Sequence, residues 1–260
     1  MTPTMSLLET LALEAGEILR ASYGTQVEVH HKGVIDLVTE VDQRSERYLI
    51  GEIQRYFPQH RIMAEESGEQ VGEDCCLWYI DPLDGTVNYA HNIPVFTVSI
   101  AYQQDGVVQL GVVYDPMHDE LFSAVRGNGA SLNGMPISVS GVTELGQSLL
   151  ATGFPYDIRS NPVKNLDNFA RFAVRCQGIR RLGSAALDLC YVACGRYEGF
   201  WELRLNTWDV AAGALIAEEA GALVTGIHGN LDYLSSPQSI LAANPTLHSA
   251  MLAVLDEQDS

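Results

Sequence analysis

Two aspartates three residues apart, Asp81 and Asp84, close a short apolar run, Leu77-Trp78-Tyr79-Ile80, within Asp81-Pro82-Leu83-Asp84-Gly85-Thr86. The run reads as a buried strand bounded by Asp81-Pro82. Carboxylates at the end of a buried strand do not belong to a solvated face. Ionised and buried, they are costly unless a cation holds them. No Lys or Arg occurs between Cys75 and Gln109, so a divalent ion is the simpler partner. Hard oxygen donors suit Mg²⁺ or Mn²⁺. Pro82 and Gly85 predict a turn that aims both side chains and the Leu83 carbonyl at one point; the same residues would also make an Asx-rich turn with no metal.

Three more acidic clusters stand out: Asp36-Leu37-Val38-Thr39-Glu40-Val41-Asp42, Ala64-Glu65-Glu66-Ser67 and Trp208-Asp209. Each has a second reading on local grounds. Asp42 sits near the start of a helical pattern, where a negative charge favours the helix dipole. Glu65 could lie in an exposed loop. Asp209 precedes an Ala-rich helical stretch, and taken alone it reads as a helix cap sooner than as a ligand.

These clusters need elements to position them. Leu7, Leu8, Leu11, Ala15, Ile18 and Leu19 share one helical face, which predicts a helix over residues 5–22; residues 40–57 repeat the pattern up to Pro58. Residues 30–39 between them read as an extended or looped connector. Val95–Tyr102, Val107–Tyr114 and Glu120–Val125 read as strands joined by Asp105-Gly106 and Asp115-Pro116, a meander that predicts a mainly antiparallel sheet. Beyond a Gly- and Ser-rich stretch near 135–147 the pattern alternates. Strands are expected at 149–152, 199–203, 222–225 and 239–242, and helices at 162–175, 185–194, 208–220 and 245–255. The expected organisation is an N-terminal α+β portion, residues 1–140, with most of the acidic clusters, and a C-terminal α/β portion, residues 141–260.

The 260 residues carry a formal charge of −18, a field that repels nucleic acid and anionic membranes. Five unevenly spaced cysteines do not form a disulfide framework. Glu9, Glu14 and Glu17 interrupt the apolar residues near the start, unlike a signal peptide. These features predict a cytoplasmic protein with no membrane or nucleic-acid partner.

The four clusters, in this order, resemble the inositol monophosphatase family of lithium-sensitive, metal-dependent phosphatases. Trp78-Tyr79-Ile80-Asp81-Pro82-Leu83-Asp84-Gly85-Thr86-Val87-Asn88-Tyr89 is similar to its first signature. Trp208-Asp209-Val210-Ala211-Ala212-Gly213 and Glu218-Glu219-Ala220-Gly221-Ala222 are similar to its second. The resemblance spans residues 5–255. It implies an αβαβα sandwich and a homodimer. It implies Glu65, Asp81 and the Leu83 carbonyl on one Mg²⁺, and Asp81, Asp84 and Asp209 on another. A third, weaker Mg²⁺ would sit near Glu65. It pairs Asp42 with Thr86 to activate water and puts Gly85 and Thr86 on the phosphate. It gives Gly183, Ser184, Ala185, Glu202, Asp84 and Asp209 to the substrate, and it aligns Lys32 with a loop lysine.

A water in line with the leaving oxygen is the expected nucleophile. The expected reaction is hydrolysis of a small phosphate monoester, inositol monophosphate foremost. Histidinol phosphate, fructose 1,6-bisphosphate and nucleotide 3′-phosphates are alternatives on the same scaffold. A non-catalytic regulatory binding protein is the alternative of another class, and such a protein should have lost the ligands retained here.

Overall fold

The computed structural model describes residues 2–25, 29–31, 37–235 and 238–257, with the backbone alone at 29–31, 37–38 and 74. Helix α1 (Met5–Ser22) starts where the Thr4 hydroxyl accepts from the Leu7 N–H, and it buries Leu8, Leu11, Ala12, Ala15 and Leu19. Strands β1 (Val29–His31) and β2 (Leu37–Thr39) pair antiparallel. Lys32 and Asp36 lie outside the described residues. Helix α2 (Glu40–Tyr56) opens on a reciprocal cap: Thr39 Oγ1 accepts from Val41 and Asp42, and Asp42 Oδ2 accepts from the Thr39 N–H at 2.9 Å.

Strands β3 (His60–Ala64), β4 (Gly68–Gln70) and β5 (Glu73–Asp84) come next, followed by the short helix α3 (Thr86–Ala90). Then come β6 (Thr97–Gln104), β7 (Val107–Asp115), β8 (Glu120–Val125), β9 (Ala130–Leu132) and β10 (Met135–Pro136). They form one sheet in the order β10-β9-β8-β7-β6-β5-β3-β4. All neighbours are antiparallel except β3 and β5. The expected meander is therefore present, extended by β3, β4, β9 and β10, which are too short to show a clear alternation.

The second sheet is built from β11 (Leu149–Thr152), then, past α4 (Leu166–Ala173), β12 (Gly178–Arg180), and, past α5 (Ala185–Ala193), β13 (Gly199–Leu205). Helix α6 (Thr207–Glu219), β14 (Leu223–Thr225), β15 (Gln238–Ala243) and α7 (Pro245–Leu255) complete it. The strand order is β12-β11-β13-β15-β14. Helix α4 is shorter than the expected 162–175. Asn165 adopts φ 63° in the left-handed region and its buried amide donates to the Gly153 carbonyl at 2.7 Å, so no helix can run through it.

Three apolar clusters define five layers. Helices α1 and α2 cover one face of the larger sheet, α5 and α6 fill the space between the sheets, and α4 and α7 cover the outer face of the smaller one. This is the αβαβα sandwich. Helix α6 is buried from Val210 through Ala217 because a sheet lies on each side of it, and so it has no polar stripe. Small residues allow the close approach: a Cβ on Gly111 would stand 2.9 Å from the Ala212 carbonyl oxygen. No helix among the described residues is long and apolar enough to cross a membrane.

Candidate active site

Strand β5 delivers the central carboxylates through a break in its register, with a turn at Gly85 following it. Asp81 pairs with Ser99 and Asp84 with Thr97, so three steps on β5 match two on β6. In a regular strand, residues i and i+3 face opposite ways. The extra residue restores the parity, and both carboxylates line one cavity. Gly85 then turns the chain into α3 at φ 100°, where a Cβ would stand 2.9 Å from the Val95 carbonyl oxygen. Left-handed backbone and close approach both demand glycine there.

The cavity holds about 700 Å³ of empty space, part of it open solvent. Glu65, Asp81, Leu83, Asp84, Gly85, Thr86, Gly183, Ser184, Ala185, Glu202 and Asp209 all line it. The structure thus brings together every expected ligand and substrate residue. Asp42 reaches the cavity through Thr86, whose Oγ1 lies 3.0 Å from Asp42 Oδ1 and 3.1 Å from the Leu83 carbonyl oxygen. A hydroxyl has one proton, so only one of these two acceptors can receive it.

The local alternatives hold alongside the functional ones. Asp81 Oδ1 accepts from the Leu83 N–H at 3.0 Å, an Asx turn. Asp42 caps α2 with Oδ2 while Oδ1 faces Thr86. Asp209 Oδ2 accepts from the Asn206 N–H at 2.6 Å as the cap partner of α6, and the residue still lines the cavity. Each carboxylate has two oxygens, so capping and cavity roles do not compete. Glu65 is half-buried, not in an exposed loop.

Burial sets the electrostatics. Asp81 is 2% exposed, and burial followed by the charges of Glu65, Asp84 and Asp209 pushes its carboxyl well above the usual range. Burial raises Asp209 as well, with Glu65, Asp84 and Glu202 adding to the shift. Asp84 is pushed up to about 6 by burial, although Ser184 Oγ at 2.7 Å and the Ala186 N–H at 2.8 Å both donate to it. Glu202 is pushed up to about 8 by burial and the charge of Asp84. A Cβ on Gly153 would collide with the Glu202 carboxylate, so only glycine leaves it room.

Two residues escaped the sequence reading. Asp188 lines the cavity at 1% exposure, and its Oδ1 has no hydrogen-bond partner. Its signal was an acid inside the apolar stretch Ala185-Ala186-Leu187-Asp188-Leu189. Asn88 donates to the carbonyls of Val95 at 2.8 Å and Leu182 at 2.7 Å, tying α3 to the loop before α5. Nothing in the sequence marks that long-range bond. Arg181 and Arg204 also line the cavity; Arg204 pairs with Asp157 at 2.9 Å.

An αβαβα sandwich that gathers four carboxylates where β3, β5 and α6 meet is the architecture of a sugar-phosphatase type. The chain belongs to the inositol monophosphatase family, whose family model matches residues 1–260. Nus factor SuhB of Escherichia coli strain K12 is 42% identical over 261 residues, spanning 99% of this chain and 97% of that protein. The solved structure of extragenic suppressor protein suhB from Bartonella henselae is 38% identical with a TM-score of 0.93, covering 98% of this chain and 99% of that one. That of inositol monophosphatase from Anabaena (Nostoc) is 44% identical with a TM-score of 0.87, covering 96% and 94%.

Proposed function

We propose that this chain hydrolyses a small phosphate monoester, inositol monophosphate foremost, with Mg²⁺ bound among its cavity carboxylates. The observation that carries the reading is the convergence of Glu65, Asp81, Asp84 and Asp209 on one cavity, where burial and neighbouring charges oppose the ionisation of Asp81 and Asp209 and burial opposes that of Asp84. The cations at hand are committed elsewhere: Arg204 pairs with Asp157, and Arg181 offsets Glu202 and Asp188. The family is generally metal-dependent, and an all-oxygen donor set suits Mg²⁺, with Mn²⁺ as the nearest substitute.

Glu65, Asp81 and the Leu83 carbonyl would hold one ion, Asp81, Asp84 and Asp209 a second, with a weaker third near Glu65. Such ions, when bound, acidify water and neutralise charge on phosphoryl oxygens. The rest falls to the protein. With the Leu83 carbonyl on an ion, the Thr86 proton points to Asp42, and the lone pairs of Oγ1 are left to accept from the attacking water. The N–H groups of Gly85 and Thr86 bind phosphate oxygens. Gly183, Ser184 and Ala185 wall the cavity. Glu202 accepts hydrogen bonds from the hydroxyls of the substrate.

A phosphate-release screen with Mg²⁺ tests this. Its panel holds inositol 1-phosphate, histidinol phosphate, fructose 1,6-bisphosphate and adenosine 3′,5′-bisphosphate. Release from the inositol ester should dominate, Li⁺ should inhibit it, and Asp84→Asn should abolish it with the thermal midpoint kept. Normal activity in that variant would sink the two-ion arrangement. Preference for histidinol phosphate is the second reading, favoured by Asp188, whose buried Oδ1 has no hydrogen-bond partner and lines the cavity where a substrate cation would sit. A regulatory binding role beside catalysis draws support from the name Nus factor carried by the relative at 42% identity. The five free thiols support a reducing, cytoplasmic setting. The family resemblance supports a homodimer, which size-exclusion chromatography with light scattering would detect.

A further inference from the structure

Strand β5 is irregular a second time, at the end remote from the cavity. Against β6 it pairs step for step from Cys76 opposite Gln104 to Asp81 opposite Ser99. Against β3, Glu73 faces His60, yet the next matched pair is Leu77 with Arg61. Residues 74–76 are therefore extra on the β5 side of that pairing. Consecutive side chains of a regular strand leave opposite faces, and adjacent thiols diverge. Here Cys75 Sγ and Cys76 Sγ lie 3.1 Å apart, and Glu73 Oε2 lies 3.9 Å from Cys75 Sγ. One ligand atom from each of the three residues lies within 4.8 Å of the other two, the only such three-donor group among the described residues.

The two thiols are held differently. Cys76 is 9% exposed and its Sγ accepts from the buried Tyr102 hydroxyl at 3.5 Å. Cys75 and Glu73 are exposed. The group is thus anchored to the core on one side and open to solvent on the other. A hydrogen bond with Cys76, then burial, then the charges of Cys76, Glu73 and Asp105 push the Cys75 thiol up to about 11. Five residues of strand, about 16 Å, separate Cys76 from Asp81. The chemistry differs as well: oxygen donors around the cavity, two sulfurs and one carboxylate here.

We propose that Glu73, Cys75 and Cys76 form a separate seat for a thiophilic divalent cation of the Zn²⁺ and Cd²⁺ class, with the remaining coordination position open to water. Two metal–sulfur bonds form and the two thiol protons leave to solvent; no atom changes oxidation state. Bonds of about 2.3 Å at a tetrahedral angle set the sulfurs about 3.8 Å apart. Rotation of the exposed Cys75 side chain provides that widening.

The test is a Cd²⁺ titration of the reduced, full-length protein in saturating Mg²⁺, which occupies the oxygen-only ligands. The readouts are the thiolate-to-metal charge-transfer absorption in the ultraviolet and the protons released. We expect one Cd²⁺ and about two protons per chain at this seat, with Zn²⁺ displacing Cd²⁺. Cys75→Ser and Cys76→Ser should each weaken binding at least tenfold and remove the absorption. Glu73→Gln should weaken it several-fold and keep the absorption. Cys75 is exposed, so its serine variant should fold and release phosphate normally, which keeps the test valid if Cys76→Ser does not fold. An undiminished absorption in Cys75→Ser, or none in the unmodified protein, would overturn the proposal.

Discussion

At the scale of single residues, Thr86 and Asp42 divide a task. Asp42 holds Thr39 with one oxygen and faces Thr86 with the other, so removing it damages a helix start as well as the proposed proton path. Thr86 has no part in that cap. Thr86→Ala should lower kcat by about 10²–10⁴-fold, the usual worth of a positioned proton acceptor. Its thermal midpoint should fall less than that of Asp42→Ala, which also loses a cap worth about 1 kcal/mol. Steady-state kinetics with melting curves on both variants check this; equal loss of stability would mean that Thr86 is chiefly structural.

At the scale of elements, the cavity depends on how β5, α3 and the loop before α5 are joined. The register break at Asp81–Asp84 turns two carboxylates to one side. Ser184 caps α5 by accepting from the Leu187 N–H at 3.2 Å, and with its own proton it orients Asp84 at 2.7 Å. Asn88 clamps the assembly from α3 through Val95 and Leu182. Asn88→Ala leaves two part-buried carbonyls without their donor, a loss of about 1–3 kcal/mol. It should lower the denaturant midpoint accordingly and raise KM, because Gly183, Ser184 and Ala185 lose their tie to the Gly85 turn. An unchanged KM would show that the loop holds its place without Asn88.

At the scale of the molecule, six acidic residues, Glu65, Asp81, Asp84, Asp188, Glu202 and Asp209, line one cavity, where burial makes charge most costly. The sign of the pH dependence follows. Folded Glu202 holds its proton to about 8 and Asp84 to about 6, against ordinary values of 4.5 and 3.8. Between the ordinary and the raised values the native state binds the extra protons, so stability falls as pH rises. After chelation, the thermal midpoint should drop by several degrees from pH 5 to pH 8, and Glu202→Gln should flatten the slope. Mg²⁺ should raise the midpoint more at pH 8 than at pH 5, since it binds the ionised carboxylates of the folded state. A midpoint that climbs with pH in chelator would contradict this.

The sequence by itself determined the family's motifs and most of the elements. Asp81-Pro82-Leu83-Asp84-Gly85-Thr86 and Trp208-Asp209 are contiguous, and contiguous residues declare their types and spacing without a fold. Helices α1, α2 and α7 and strands β7 and β8 were legible because each has an exposed or turn-bounded side that gives a period. What only the tertiary structure decided is every relation that crosses elements or breaks a period. A bulge is a property of two strands, so the facing of Asp81 and Asp84, and the meeting of Cys75 with Cys76, could not be read from one. Asn165 delays the start of α4 because it sits in the left-handed region with its amide on the Gly153 carbonyl. Asp209, which local reasoning made a cap, caps and faces the cavity at once, since a carboxylate has two oxygens and only packing tells where the second one points.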